Sequence, residues 1–360
     1  MALAFGGGVG CARGAHRSAA TAHTTTVPAA TGVPSSPAKL LGQRIMVGLS
    51  GSRPDAELLS RVREGAVGGV ILFSGNIVSR AQVVALTASL QRAARQGRNP
   101  PLLIAVDQEG GQVRRFASGP PTLSPPQIAA TDSAAIAFRQ GRSTGQYLKG
   151  RGVNMDLAPV LDVPTFAGAF IWQQGRAFSF SSATVAEYAT QFALGLQSAH
   201  VAATGKHFPG LGSAGVSTDN QLAELHPTPS QLAGALVPYK ALIPDGLDAV
   251  MLSIAGFSAY DHSGAPAALS QPIIGGLLRR QLSFGGVTIT DSLGAPTGHG
   301  ETTAGVLAAE AGADIVLYTD SAPGELPALQ RALTNGAIKR ADARASYRRI
   351  VALKRRVASG

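Results

Sequence analysis

The 360-residue chain is short of several things, and each shortage removes a class of function. It has one cysteine, Cys11, so an internal disulfide is excluded. Aromatic residues are 5% of the total, too sparse for a stacking platform for bases, and no nucleic-acid partner is expected. Charged residues are only 14%, which argues against disorder over most of the length. From residue 38 onward no run is long and apolar enough to span a bilayer. A glycine-rich phosphate loop ending in Lys-Ser/Thr is missing, as are Gly-x-Gly-x-x-Gly after the first strand and Gly-x-Ser-x-Gly. His207, His226, His262 and His299 lack zinc-ligand spacing, and no Cys/His cluster exists, so no metal is expected.

What is present is apolar content, 45%, arranged in an alternating pattern. Eight β-like runs cover Arg44–Leu49, Gly69–Phe73, Leu102–Val106, Val153–Val163, Val201–His207, Ala249–Ile254, Val287–Thr290 and Ala313–Tyr318. They are continuous stretches of Val, Ile, Leu and Ala, as parallel strands covered on both faces require. Between them lie segments with apolar spacing near 3.6: Pro54–Glu64, Arg80–Arg95, Ser133–Gly150, Ser182–Ala199, Pro229–Ile243, Gln271–Leu282 and Thr302–Gly312. Ser79, Ser181 and Thr228-Pro229 supply helix-start signals, and Leu326–Asn335 and Ala341–Val357 follow the eighth strand. Eight strand–helix units predict an α/β fold of the (β/α)8 TIM-barrel type, a single catalytic domain over 38–360. A doubly wound open sheet is the alternative.

The net charge is +10, which suits anionic surroundings such as a cell envelope. The basic residues are scattered except at 339–356, which reads as the solvated face of a terminal helix. Residues 1–37 differ from the rest: a small apolar stretch, a Gly-Cys pair and a linker rich in Ala, Thr, Ser and Pro. That order points to a signal remnant and linker, with possible lipid attachment through Cys11 and an exported protein, against a cytoplasmic alternative. A monomer is expected.

In such barrels the chemistry sits where strands end and loops begin. The third strand runs into Asp107-Gln108-Glu109-Gly110-Gly111, whose paired glycines allow close backbone approach to a ligand. The fourth carries Asn154, Asp156 and Asp162, the last best read as a structural hydrogen-bond partner. The fifth ends in Lys206-His207, costly to bury unless paired with carboxylates or sugar hydroxyls, and Asp219 follows in the next loop. The seventh ends in Asp291, a carboxylate fixed by rigid backbone and aimed at the barrel mouth, where a nucleophile belongs; a helix cap is the plainer alternative. Carboxylate, cation and histidine at one mouth suit glycoside hydrolysis, in which one carboxylate attacks the anomeric carbon and a second group protonates the leaving oxygen.

Ala105-Val106-Asp107-Gln108-Glu109-Gly110-Gly111, Lys206-His207-Phe208-Pro209-Gly210 and Ile289-Thr290-Asp291-Ser292-Leu293 resemble glycoside hydrolase family 3. Pro159-Val160-Leu161-Asp162-Val163 and the Gly69–Phe73 run with Asn76 fit as well, and the resemblance covers about residues 40 to 355. It is nearest the single-domain β-N-acetylhexosaminidases that act on peptidoglycan fragments. It implies retaining hydrolysis of a terminal β-linked N-acetylglucosamine, with Asp291 as nucleophile and no cofactor. It also implies that Asp107, Arg115, Arg176, Lys206 and His207 bind the sugar. A β-glucosidase of the same family is the close alternative.

Two departures stand out. Gln112 occupies a position where the family often has Arg. In the hexosaminidase group an Asp-Ser-His loop supplies the acid/base histidine; here Ser217-Thr218-Asp219-Asn220-Gln221 puts Gln221 in its place, in a loop about two residues longer. An amide cannot act as a general acid. The expectations are that Asp219 does the protonation, that His226 swings in, or that the chain is an impaired, sugar-binding protein of the envelope.

Overall fold

The computed structural model describes residues 32–359. Cys11 and residues 1–31, on which the export and lipidation expectations rest, lie outside them. Eight strands form one parallel sheet: β1 (Ile45–Val47), β2 (Gly69–Leu72), β3 (Leu103–Val106), β4 (Met155–Asp156), β5 (Ala202–Phe208), β6 (Ala249–Leu252), β7 (Val287–Thr290) and β8 (Val316–Leu317). Each pairs with its neighbours in sequence, and β1 pairs with β8 through Ile45↔Val316. A parallel bridge between Ile289 and Ile315 joins β7 to β8 and closes the ring. The open-sheet alternative is thereby ruled out, and the (β/α)8 barrel stands.

Alternation along the strands sorts side chains into two cores. Ile71, Leu103, Ala105, Met155, Met251, Val287 and Ile289 fill the barrel interior. Val70, Leu72, Ile104, Val106 and Val250 face the surrounding helices. The helices begin where the caps demand: Ser79 accepts from Gln82 N, Ser181 from Thr184 N, and Thr228 from Gln231 N in a capping box with Pro229 behind it.

Three elements differ from expectation. The fourth strand pairs only over Met155–Asp156, since Pro159 interrupts the run; beyond it a bridge joins Val160 to Lys206. The segment Pro272–Gln281 winds as a π-helix, with Leu282 N donating to Leu277 O at 3.0 Å.

The third difference is the basic terminal helix, Arg340–Ala358, which is a stopper and not merely a solvated face. Ile350, Leu353 and Val357 join the interior core from below. Lys354 is fully buried and donates to Gln43 Oε1 at 2.6 Å and Gly68 O at 2.7 Å. Arg349 pairs with buried Asp314 at 2.7 Å, and Arg356 pairs with Asp248. The periodicity hid this because a cation buried against carboxylates and carbonyls looks, in one dimension, like a cation in water.

Candidate active site

The mouth at the carboxyl ends of the strands holds a cavity of about 540 Å³. Strand alternation decides what lines it. Leu103 and Ala105 point inward, so Asp107 and then Glu109 do too. Val287 and Ile289 point inward, so Asp291 follows. The β5–β6 register shifts between Gly205 and Phe208, and both Lys206 and His207 reach the cavity there. After β3 a hairpin, Gln108–Gly110 with Val113–Arg114, folds over the rim. Its turn requires glycine: Gly110 sits at φ +102°, and a Cβ there would lie 2.6 Å from Leu123 O. The reversal brings Arg115 back over Asp107.

One wall is a charge network. Lys206 Nζ lies 2.6 Å from Asp107 Oδ1 and 2.7 Å from Glu109 Oε1. Arg176 grips Glu109 with two bonds of 2.8 Å, through Nε and Nη2. Arg115 Nη2 stands 3.4 Å from Asp107 Oδ2 and its guanidinium lies over the Phe73 ring. His207 donates or accepts through Nδ1 at 2.8 Å from Asp162 Oδ2, and Arg176 Nη2 is 3.4 Å from its Nε2. A guanidinium can only donate, so Nε2 accepts and the ring proton sits on Nδ1, bonded to Asp162. Asp162 Oδ1 also takes the N–H groups of His207 and Leu211.

The pairing sets the protonation states. Burial by itself would raise the Glu109 pKa, but Arg176 and Lys206 overcome it and hold the carboxyl at about 2. Burial works against a charged Lys206, and Asp107 and Glu109 outweigh it, raising its pKa. Asp291 is different. Among the described residues it has no ion-pair partner and accepts only the Ser292 N–H, at 2.8 Å. Burial raises its pKa and the Asp219 charge pushes it further up.

The sequence matches the Glycosyl hydrolase family 3 N terminal domain over residues 38–353. This chain belongs to glycoside hydrolase family 3. It is 36% identical over 308 residues to a β-hexosaminidase of Alkalilimnicola ehrlichii, covering 82% of this chain and 85% of that protein. It is 34% identical over 330 residues to an uncharacterized secreted glycosyl hydrolase of Arthroderma benhamiae, covering 88% of this chain and 93% of the relative. The structure superposes with TM-score 0.83 on a family 3 β-N-acetylglucosaminidase from Paenibacillus sp. str. FPU-7 at 34% identity. That match covers 89% of this chain and 62% of the longer Paenibacillus chain.

Of the eight site residues expected from the sequence of this family 3 protein, seven line the one cavity: Asp107, Arg115, Arg176, Lys206, His207, Asp219 and Asp291. The eighth, His226, stands apart, exposed at the surface with Nδ1 2.8 Å from Ser258 Oγ. Gln221 is exposed and does not line the cavity, whereas Gln112 does. Asp162 takes the structural part expected of it. Glu109 was missed, although its position two residues after Asp107 in an extended run places both on one face. Asp156 lies under the network, with Oδ1 accepting Gln108 N and Oδ2 buried without a partner; burial raises its pKa well above the carboxylate range.

Proposed function

We propose that the protein is a retaining exo-glycosidase releasing terminal β-linked N-acetylglucosamine from cell-wall-derived saccharides, with Asp291 as nucleophile and Asp219 as general acid/base. The observation that carries this reading is the division among the cavity's carboxylates. Asp107 and Glu109 are bound to cations, while Asp291 is unpaired and shares the cavity with Asp219. The unpaired carboxylate can attack the anomeric carbon as Asp219 gives its proton to the leaving oxygen. Water, deprotonated by Asp219, then attacks the glycosyl-Asp291 ester and frees the sugar. Asp107, Arg115, Arg176, Lys206 and His207 supply the polar wall for the sugar hydroxyls. The named activities of the Alkalilimnicola and Paenibacillus relatives support the choice of sugar. The description of the Arthroderma relative as secreted supports export.

Turnover of nitrophenyl N-acetyl-β-glucosaminide and nitrophenyl β-glucoside tests the reading. Wild type is expected to prefer the first, and Asp291→Ala to lose about 10⁴-fold or more. A wild type that binds N-acetylglucosamine yet turns over neither substrate makes it a sugar-binding protein. Preference for the glucoside makes it a β-glucosidase.

A further inference from the structure

We propose that Glu109 is the positioning residue of this sugar pocket: its carboxylate orients Arg176 and Lys206 together and cancels enough of their charge that the pocket takes an uncharged sugar and not an anion. The inference rests on reading the cavity as a sugar site.

Glu109 has little bonding capacity left for a ligand, with three of about four acceptor sites taken. Oε1 receives Arg176 Nη2 at 2.8 Å and Lys206 Nζ at 2.7 Å, and Oε2 receives Arg176 Nε at 2.8 Å. Its side chain is 1% exposed, whereas that of Asp107 keeps 13% and faces the open cavity. Asp107 is therefore placed to exchange a partner for a sugar hydroxyl, and Glu109 is placed to hold the cations while that happens. Its reach extends further. Arg176 Nη2, fixed by Glu109, meets His207 Nε2 at 3.4 Å, and His207 is fixed from behind by Asp162 at 2.8 Å. One carboxylate thus sets the direction of Arg176 and Lys206 and, through Arg176, touches His207.

The charge count gives the second half of the argument. Arg115, Arg176 and Lys206 face Asp107 and Glu109. Neutralising Glu109 leaves three cations against Asp107 on that wall and Asp291 across the cavity, a net positive arrangement that attracts anions into a partly closed, low-dielectric pocket. With its pKa at about 2, Glu109 is ionised throughout any working range, so it contributes charge and direction but no titration.

Glu109→Gln keeps the shape and removes the charge; Glu109→Asp keeps the charge and shortens the reach. For Glu109→Gln we expect kcat/KM on nitrophenyl N-acetyl-β-glucosaminide to fall about 10²-fold, mostly through KM, as for a misplaced binding group. The shape of the pH profile is expected to stay that of wild type. Inorganic sulfate is expected to become a competitive inhibitor at least about tenfold tighter than for wild type, an effect that a merely structural loss does not produce. Glu109→Asp is expected to lose sugar affinity without gaining sulfate affinity. Wild-type KM and wild-type indifference to sulfate in Glu109→Gln overturn the proposal, as does the loss of a limb from the pH profile, which makes Glu109 a proton-transfer group. If wild type turns over neither aryl glycoside, the hydrolase reading fails separately. Calorimetric titration of wild type and Glu109→Gln with N-acetylglucosamine and with sulfate then still decides the positioning claim.

Discussion

Asp291 and Asp219 carry opposite requirements in one cavity. The nucleophile must be ionised to attack, and the acid must be protonated to help the leaving group. Burial first, and the Asp219 charge second, raise the Asp291 pKa. Activity is therefore lost as pH falls through a point above the ordinary aspartate value. In Asp219→Asn the acid limb of kcat/KM against pH, measured with the nitrophenyl substrate, is expected to remain, because Asp291 is still there. Its position is expected to move little, because the acid is uncharged in the form that acts and asparagine is uncharged too. On poor leaving groups the same variant is expected to lose 10²–10⁴-fold, the usual worth of general acid help. Full activity on poor leaving groups in Asp219→Asn, with the loss appearing in His226→Ala, transfers the role to His226. The sequence was informative here to an uneven degree. Asp107, Lys206, His207 and Asp291 are legible because a polar residue ending a buried apolar strand has few reasons to be there. Arg115 and Arg176 lie in loops, where no periodicity marks a side chain's direction, and only the family resemblance pointed to them. Glu109 escaped because its partners, Arg176 and Lys206, are 67 and 97 residues away in sequence.

At the scale of elements, strands were readable and their lower ends were not. Eight apolar runs in order translate directly into a parallel barrel, since alternation and burial act within each run. What seals the base depends on contacts between distant runs. Asp314, at the foot of β8, is fully buried and receives Arg279 at 2.7 Å, Arg349 at 2.7 Å, Ser346 at 2.6 Å and the Thr288 N–H at 3.0 Å. Burial would raise its pKa, and Arg349 and Arg279 bring it below the usual value. Arg349→Ala is expected to destabilise the protein by about 2 kcal/mol in urea unfolding. That is less than the 3–5 kcal/mol typical of breaking a fully buried pair, because Arg349 is 30% exposed and Arg279 remains. Its kcat/KM is expected to be unchanged, because the ion pair lies at the end of the barrel opposite the cavity. A loss of activity without a loss of stability contradicts this separation of ends.

The whole molecule joins those ends through a single ring. Seven of the eight strands, all but β1, send a side chain into the cavity at or just past their carboxyl ends: Phe73, Asp107, Leu157, Lys206, Met251, Asp291 and Thr319 among them. A sugar bound there touches most of the barrel's circumference at once. Opening any strand pair disturbs the site, so binding energy is added to the stability of the ring as a unit. For a ligand that binds only the folded state, a concentration 100 times Kd contributes about 2.7 kcal/mol. For a chain of this size that corresponds to a rise in Tm of about 4 °C. N-acetylglucosamine is expected to produce such a rise in scanning calorimetry, in a single transition that moves without splitting. Asp107→Ala is expected to abolish most of the shift, because that residue combines access to the cavity with a hold on Lys206 and Arg115. Two transitions, only one of them responsive to the sugar, contradict the idea that the site reports on closure of the whole ring.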